Sequence, residues 1–228
     1  MEPLLALFDI DGTLIRTDGA GRAALDQAFE DLFAFRGAFE GVRFHGATDP
    51  EILDAGLSKA GQDLSHAPEI LRRYLAALAL HLSGRSSVAL PGACALIQGL
   101  KAFPHVHLGL VTGNVAEGAR IKLSPDRLGD HFVVGAFGCD HRERSQLIRI
   151  AWDRAHQAGL GPFAPSRVVY VGDTERDVGA GRTAGVVTVG VATGPLSYVD
   201  LQRAGAHRVY ETLPDAPTFL REVLECAI

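Results

Sequence analysis

The sequence predicts an α/β protein, a parallel sheet interrupted by one helical insertion, on three observations. An apolar run from Leu4 ends in Asp9 and Asp11 followed by Gly12-Thr13, the pattern of a strand buried on both faces and stopped by a turn. From residue 88 onward, short apolar runs alternate with segments of helical spacing, which implies parallel pairing through right-handed crossovers. Between these regions, residues 15 to 87 carry three helical segments and no convincing strand. The core unit is therefore 1–14 plus 88–228, and the helical unit is 15–87.

In chain order, Ala24, Leu25, Ala28, Phe29, Leu32 and Phe33 recur at helical spacing, and Asp18 is placed to cap that helix. Ala34 to Gly46 is irregular. A second helix opens at Asp49-Pro50, with Asp49 as cap, and a third runs from about Pro68 to Leu82. Gly84-Arg85-Ser86-Ser87 reads as a linker, and Pro91-Gly92 restarts the chain. A helix over 93–103, a strand over 106–112, a helix over 115–123 and a short strand over 132–137 follow. Next come a helix over 145–158, a strand over 167–172, a helix over 176–184 and a strand over 186–191. A weaker helix near 197–204, a short strand over 207–210 and a final helix from Asp215 complete the chain. The first strand joins the same sheet, since a lone buried strand has no partner. Ligands bind at the carboxyl edge of such sheets, so an insertion leaving that edge is placed to act as a lid.

Composition narrows the function. The 228 residues suffice for one core and a smaller second unit. A formal charge of -5 opposes broad nucleic-acid affinity. Cys94, Cys139 and Cys226 are too scattered for a disulfide framework or thiolate cage, which fits a reducing cytoplasm. No basic segment precedes the first apolar run, and no apolar stretch reaches the ~18 residues of a membrane span. The expectation is a cytoplasmic, unexported protein with no membrane partner, monomer or homodimer.

Each strand end offers chemistry. Asp9 and Asp11, two apart on an extended chain, address one small volume, and two carboxylates that close call for an oxygen-ligated divalent ion such as magnesium. Thr112, Gly113 and Asn114 bring a hydroxyl and backbone donors to a helix start, where anions bind. Asp173 and Asp177 add carboxylates, and Asp140-His141-Arg142-Glu143-Arg144 adds fixed positive charge.

This constellation resembles the haloacid dehalogenase superfamily of phosphotransferases, and most closely its phosphoglycolate phosphatase-like branch with an α-helical cap. The resemblance spans essentially the whole chain and implies a Rossmann-like core with the helical cap inserted. It implies that Asp9 is the nucleophile, Asp11 the general acid and base, and Thr112 the holder of phosphoryl oxygens. Mg2+ would be bound by Asp9, Asp173 and the Asp11 backbone carbonyl, with Asp177 in support. Family members commonly carry a lysine where this chain has His141, Arg142 and Arg144, and none of Lys59, Lys101 and Lys122 stands there. Arg144, nearest the following helix, is the substitute, with Arg142 its rival. Arginine keeps its charge and grips two oxygens at once. Gly113, Asn114, Arg22, Arg43, Thr48 and Asp49 are candidates to meet a small phosphorylated metabolite, with Arg22 or Arg43 pairing a carboxylate.

Several rival readings carry less. Gly19 to Ala24 approximates a dinucleotide fingerprint but begins too far beyond the strand. His105 and His107 lack companion metal ligands, and the repeated string GAGR has unlike flanks. A phosphosugar mutase shares every feature with a phosphatase. A phospho-accepting signalling module needs no lid, a silent phosphate binder needs no complete set of strand ends, and halide removal has no use for Asp11.

Overall fold

In a computed structural model, which describes residues 2–83, 87–125 and 127–226, the core is a six-stranded parallel sheet flanked by helices. Its strands are β1 (Leu4–Phe8), β4 (Val106–Val111), β5 (Val134–Ala136), β6 (Val168–Gly172), β7 (Val187–Val191) and β8 (Arg208–Tyr210). They lie in the order β5-β4-β1-β6-β7-β8, with Leu5 opposite His107 on one side and Val168 on the other. The chain builds outward from β1 through β4 to β5 on one side and then crosses to β6 on the other, so the switch point where open parallel sheets place their ligands lies at β1.

Period-two alternation explains the apolar run. Leu4, Ala6 and Phe8 enter one apolar cluster with α4 (Ala93–Leu100) and α9 (Ala216–Glu225). Leu5 and Leu7 enter the opposite cluster, formed with α6 (Arg144–Gln157) and α7 (Glu175–Ala184). Each large side chain buried there contributes about 1.5–3 kcal/mol. The remaining core helices are α5 (Ala116–Leu123) and the short α8 (Tyr198–Arg203).

The helical unit has its own apolar cluster, built from α1 (Ala20–Phe33), α2 (Asp49–Lys59) and α3 (Ala67–Leu82) around Phe29, Phe39, Tyr74 and Leu78. It is joined to the core through a two-stranded antiparallel ribbon, β2 (Ile15–Arg16) against β3 (Val88–Ala89). The sequence predicts no strand there, because two-residue strands show no alternation. The 84–86 part of the expected linker lies outside the described residues.

Two expected caps are corrected. Asp18 does not cap α1. Gly19, in the left-handed region, takes that position without a side-chain bond, and Asp18 pairs with Arg16. Asp49 does not cap α2 either. Thr48 does, in a capping box with Glu51, which leaves the Asp49 carboxylate free for a partner elsewhere.

Candidate active site

The carboxyl edge of β1, β4 and β6 opens under the helical unit into a cleft of about 650 Å³. Asp9, Asp11, Thr112, Asn114, Lys122, Arg144 and Asp173 line its floor, with Arg22, Arg43 and Asp49 on the side of the insertion. Asp9 is still tied to the sheet, its N–H donating to the Val171 carbonyl at 2.9 Å. The chain then turns at Gly12, whose φ of 83° suits glycine and whose absent Cβ leaves room for Asp173, 2.3 Å away from where it would stand. Gly194 likewise leaves room for the same carboxylate, and Thr13 Oγ1 donates to it at 3.1 Å.

Asp9, Asp173 and Asp177 each present a carboxylate oxygen to one small volume, all within 4.8 Å of one another. Burial pushes the Asp9 carboxyl up to about 6, against the pull of Arg144 and with the added repulsion of Asp177 and Asp11. Burial, then the charges of Asp177 and Asp9, drive Asp173 well above the usual carboxylate range. Three carboxylates face a single buried cation, Arg144. The group has the hard oxygen donors and the excess negative charge that suit Mg2+. The Asp11 carboxylate is not part of this group, which agrees with an expected role for Asp11 through its backbone carbonyl and not its side chain.

The structure brings Arg144, and not Arg142, to Asp9. Arg144 starts α6 inside the protein, with one guanidinium nitrogen 3.1 Å from Asp9, 2.7 Å from Asp177 and 3.0 Å from the Tyr170 hydroxyl. Tyr170 donates in turn to Asp177 at 2.7 Å. Arg144 Nε is buried without an acceptor among the described residues, so the guanidinium keeps a donor to spare. Arg142 lies outside and pairs with Asp54 of α2.

A second buried cation went unread in the sequence. Lys122, in the last turn of α5, donates to both Asp11 oxygens at 2.9 and 2.8 Å and to Asn114 Oδ1 at 2.6 Å. Burial alone would raise the Asp11 carboxyl. The charge of Lys122, with hydrogen bonds from Lys122 and Asn114, outweighs it and holds the group below its ordinary value. The signal was available: with Val115, Ala119 and Leu123, Lys122 falls on the inward stripe of its helix, where a lysine is out of place unless paired.

Other expected ligands are otherwise engaged. The Asn114 amide donates to Asp11 at 2.7 Å and to Thr112 Oγ1 at 2.8 Å while accepting from Lys122, which uses up the side chain expected to bind substrate. Thr48 is not part of the cleft lining, because its buried hydroxyl is held in the capping box. Arg22 reaches the cleft, but its guanidinium donates to the Phe39 carbonyl at 2.8 Å and lies over the Phe44 ring. Arg43 is exposed on the cleft wall, with no ion pair among the described residues. Gly113 serves as the seat of the insertion. Its carbonyl accepts from Asp49 N–H at 2.8 Å, and a Cβ there would stand 2.2 Å from the Ala47 carbonyl oxygen. Asp49 accepts from Val115 N–H at 2.8 Å, and burial pushes its carboxyl up to about 6 despite Lys122.

A parallel sheet whose switch point gathers carboxylates, a threonine and a buried arginine beneath a helical insertion is the arrangement of an α/β hydrolase of this fold. The chain belongs to the haloacid dehalogenase-like hydrolase family, whose family model matches residues 4–185. It is 25% identical over 199 residues to a phosphoglycolate phosphatase of Pseudomonas putida, covering 84% of this chain and 70% of that protein. A hydrolase from Pseudomonas syringae has a similar structure, with a TM-score of 0.72 at 23% identity over 96% of this chain and 98% of that one. A β-phosphoglucomutase from Clostridium difficile also gives 0.72, at 18% identity over 99% and 98% of the two chains. Among the described residues no helix is long and apolar enough to cross a membrane.

Proposed function

We propose that the chain is a magnesium-dependent phosphomonoesterase acting on a small phosphorylated metabolite, of the phosphoglycolate or sugar phosphate kind, through an aspartyl-phosphate on Asp9. The observation that carries this reading is the division of the two carboxylates. Asp9 sits buried against Arg144 among the metal-capable acids, while Asp11 is turned aside to Lys122 and keeps 40% of its side-chain exposure. The division is one of place: Asp9 stands beside the cation and acids that meet a phosphoryl group, and Asp11 stands apart from them on the open side of the cleft, where a leaving oxygen would lie.

A carboxylate oxygen of Asp9 forms the new bond to phosphorus as the ester P–O bond breaks, and the proton of the Asp11 carboxyl passes to the leaving oxygen to give the alcohol. Water then attacks the same phosphorus and gives its proton to the Asp11 carboxylate, the bond to Asp9 breaks, and inorganic phosphate leaves. Arg144 and the Thr112 hydroxyl hold the phosphoryl oxygens as charge builds on them. Asp9, Asp173 and Asp177, with the Asp11 backbone carbonyl, would hold Mg2+, which supplies further positive charge to those oxygens. Arg43, exposed in the cleft wall and without an ion pair among the described residues, favours esters that carry a second anionic group.

The test is phosphate release from a panel of esters with Mg2+, run for the parent and Asp9→Asn. The parent releases phosphate, with carboxylate-bearing esters ahead of neutral ones, and the variant loses about 10⁴-fold or more in kcat. Equal activity in the variant sinks the mechanism. Isomerisation of a sugar phosphate without phosphate release identifies a mutase in its place.

A further inference from the structure

We infer that Lys122 is a positioning residue: together with Asn114 it clamps the Asp11 carboxylate on the leaving-group side of the cleft and away from the metal-binding acids. This rests on the phosphatase reading above.

The geometry is saturated. All three ammonium donors of Lys122 are used, two on the two Asp11 oxygens and one on Asn114 Oδ1, while Asn114 Nδ2 closes the ring onto Asp11 Oδ2 and Thr112 Oγ1. A carboxylate gripped at both oxygens by a fixed cation and at one by an amide has a single orientation available. Lys122 is itself immobilised. It is 6% exposed, its carbonyl accepts from the buried Ser87 hydroxyl at 2.7 Å, and α1 passes over its head so closely that a Cβ at Gly21 would lie 3.7 Å from Nζ.

A purely structural role accounts poorly for this arrangement. Burying an ammonium costs several kcal/mol, and a methionine, one atom shorter but unbranched and apolar, would fill most of that place in α5 without that cost. The ammonium has its return at Asp11, whose side chain is otherwise open to the cleft. Without the clamp the carboxylate is free to rotate toward the cations attracted by Asp9, Asp173 and Asp177, or into solvent. In either place it is out of reach of a leaving oxygen, and proton transfer tolerates little misplacement.

The discriminating experiment compares kcat/KM, which runs only through cleavage of the ester bond, for an alkyl and an aryl ester in the parent and Lys122→Met. Glycerol 2-phosphate needs its leaving oxygen protonated, whereas p-nitrophenyl phosphate releases a stabilised phenolate that does not. Lys122→Met is expected to lose about 10²-fold or more on the alkyl ester and less than about 5-fold on the aryl ester. Lys122→Gln, which keeps a hydrogen-bond donor but no charge, carries the same comparison if the methionine variant fails to fold. Equal losses on both esters would mean a structural role and overturn the clamp, as would no loss on either. A parent inactive on both esters would take down the phosphatase reading and the clamp with it.

Discussion

The two buried cations of the cleft do opposite work. Arg144 enters from the start of α6 and meets acids that crowd together, one of its nitrogens touching Asp9 and Asp177 while Asp173 stands beside them. Its charge falls short of theirs, and the acids are left wanting a second cation. Lys122 enters from the end of α5 and meets one acid, Asp11, which it satisfies completely. Two carboxylates two residues apart in sequence thus live in different electrostatic surroundings. An underpaired acid near a cation keeps its appetite for metal and phosphate, and a fully paired one keeps its place.

The comparison breaks most visibly at Arg144. Arg144→Leu is expected to lower kcat/KM about 10³-fold on any phosphate ester, aryl or alkyl, whereas Arg142→Ala stays within a few-fold because Arg142 holds only an exposed pair with Asp54. Steady-state kinetics on both variants checks this. A collapse in Arg142→Ala with Arg144→Leu spared would reverse the assignment.

On the Lys122 side, Asp49 is the acid that remains short of charge. Its carboxyl is raised from the ordinary 3.8 to about 6 by burial. A raised carboxyl stabilises the fold fully below the lower value, and that stability is lost as pH rises through the upper one, a swing of about 3 kcal/mol. Asp49→Asn, whose amide oxygen still accepts from Val115, removes this loss. Urea unfolding from pH 4.5 to 8 should show the variant gaining on the parent as pH rises, and a constant gap between them would contradict the account.

A smaller effect sharpens the contrast. Mg2+ at about 100 times its dissociation constant should stabilise the parent by about 2.7 kcal/mol. Thermal unfolding should show this gain abolished in Asp173→Asn and retained in Lys122→Met, since the proposed side-chain ligands of the ion all stand on the Arg144 side. Loss of the gain in Lys122→Met would merge the two sides into one network.

Much of this was legible beforehand because it is written in local pattern. The run from Leu4 to Phe8 alternates between two apolar clusters as a doubly covered strand must, and the helices over 67–82 and 144–157 fall within a residue of their expected limits. The caps were less legible. Thr48 and Asp49 are adjacent and equally able to cap a helix, and what separates them is Val115, which claims Asp49 from another part of the chain. Asn114 and Thr48 read as ligands because polar groups near a strand end or a loop look free until their partners are in place.

The sequence by itself determined the sheet, the insertion and the acids at the strand ends, since periodicity and turn residues are properties of neighbours along the chain. Which cation serves which acid was decided only by the tertiary structure. Lys122 lies 111 residues from Asp11, and Arg142 and Arg144 are two residues apart in the chain. The turn of α6 sends one guanidinium to the cap surface and the other to Asp9, and the packing of α5 against the sheet carries Lys122 to Asp11. Electrostatic energy depends on distance in space and on burial, and neither is encoded in distance along the chain.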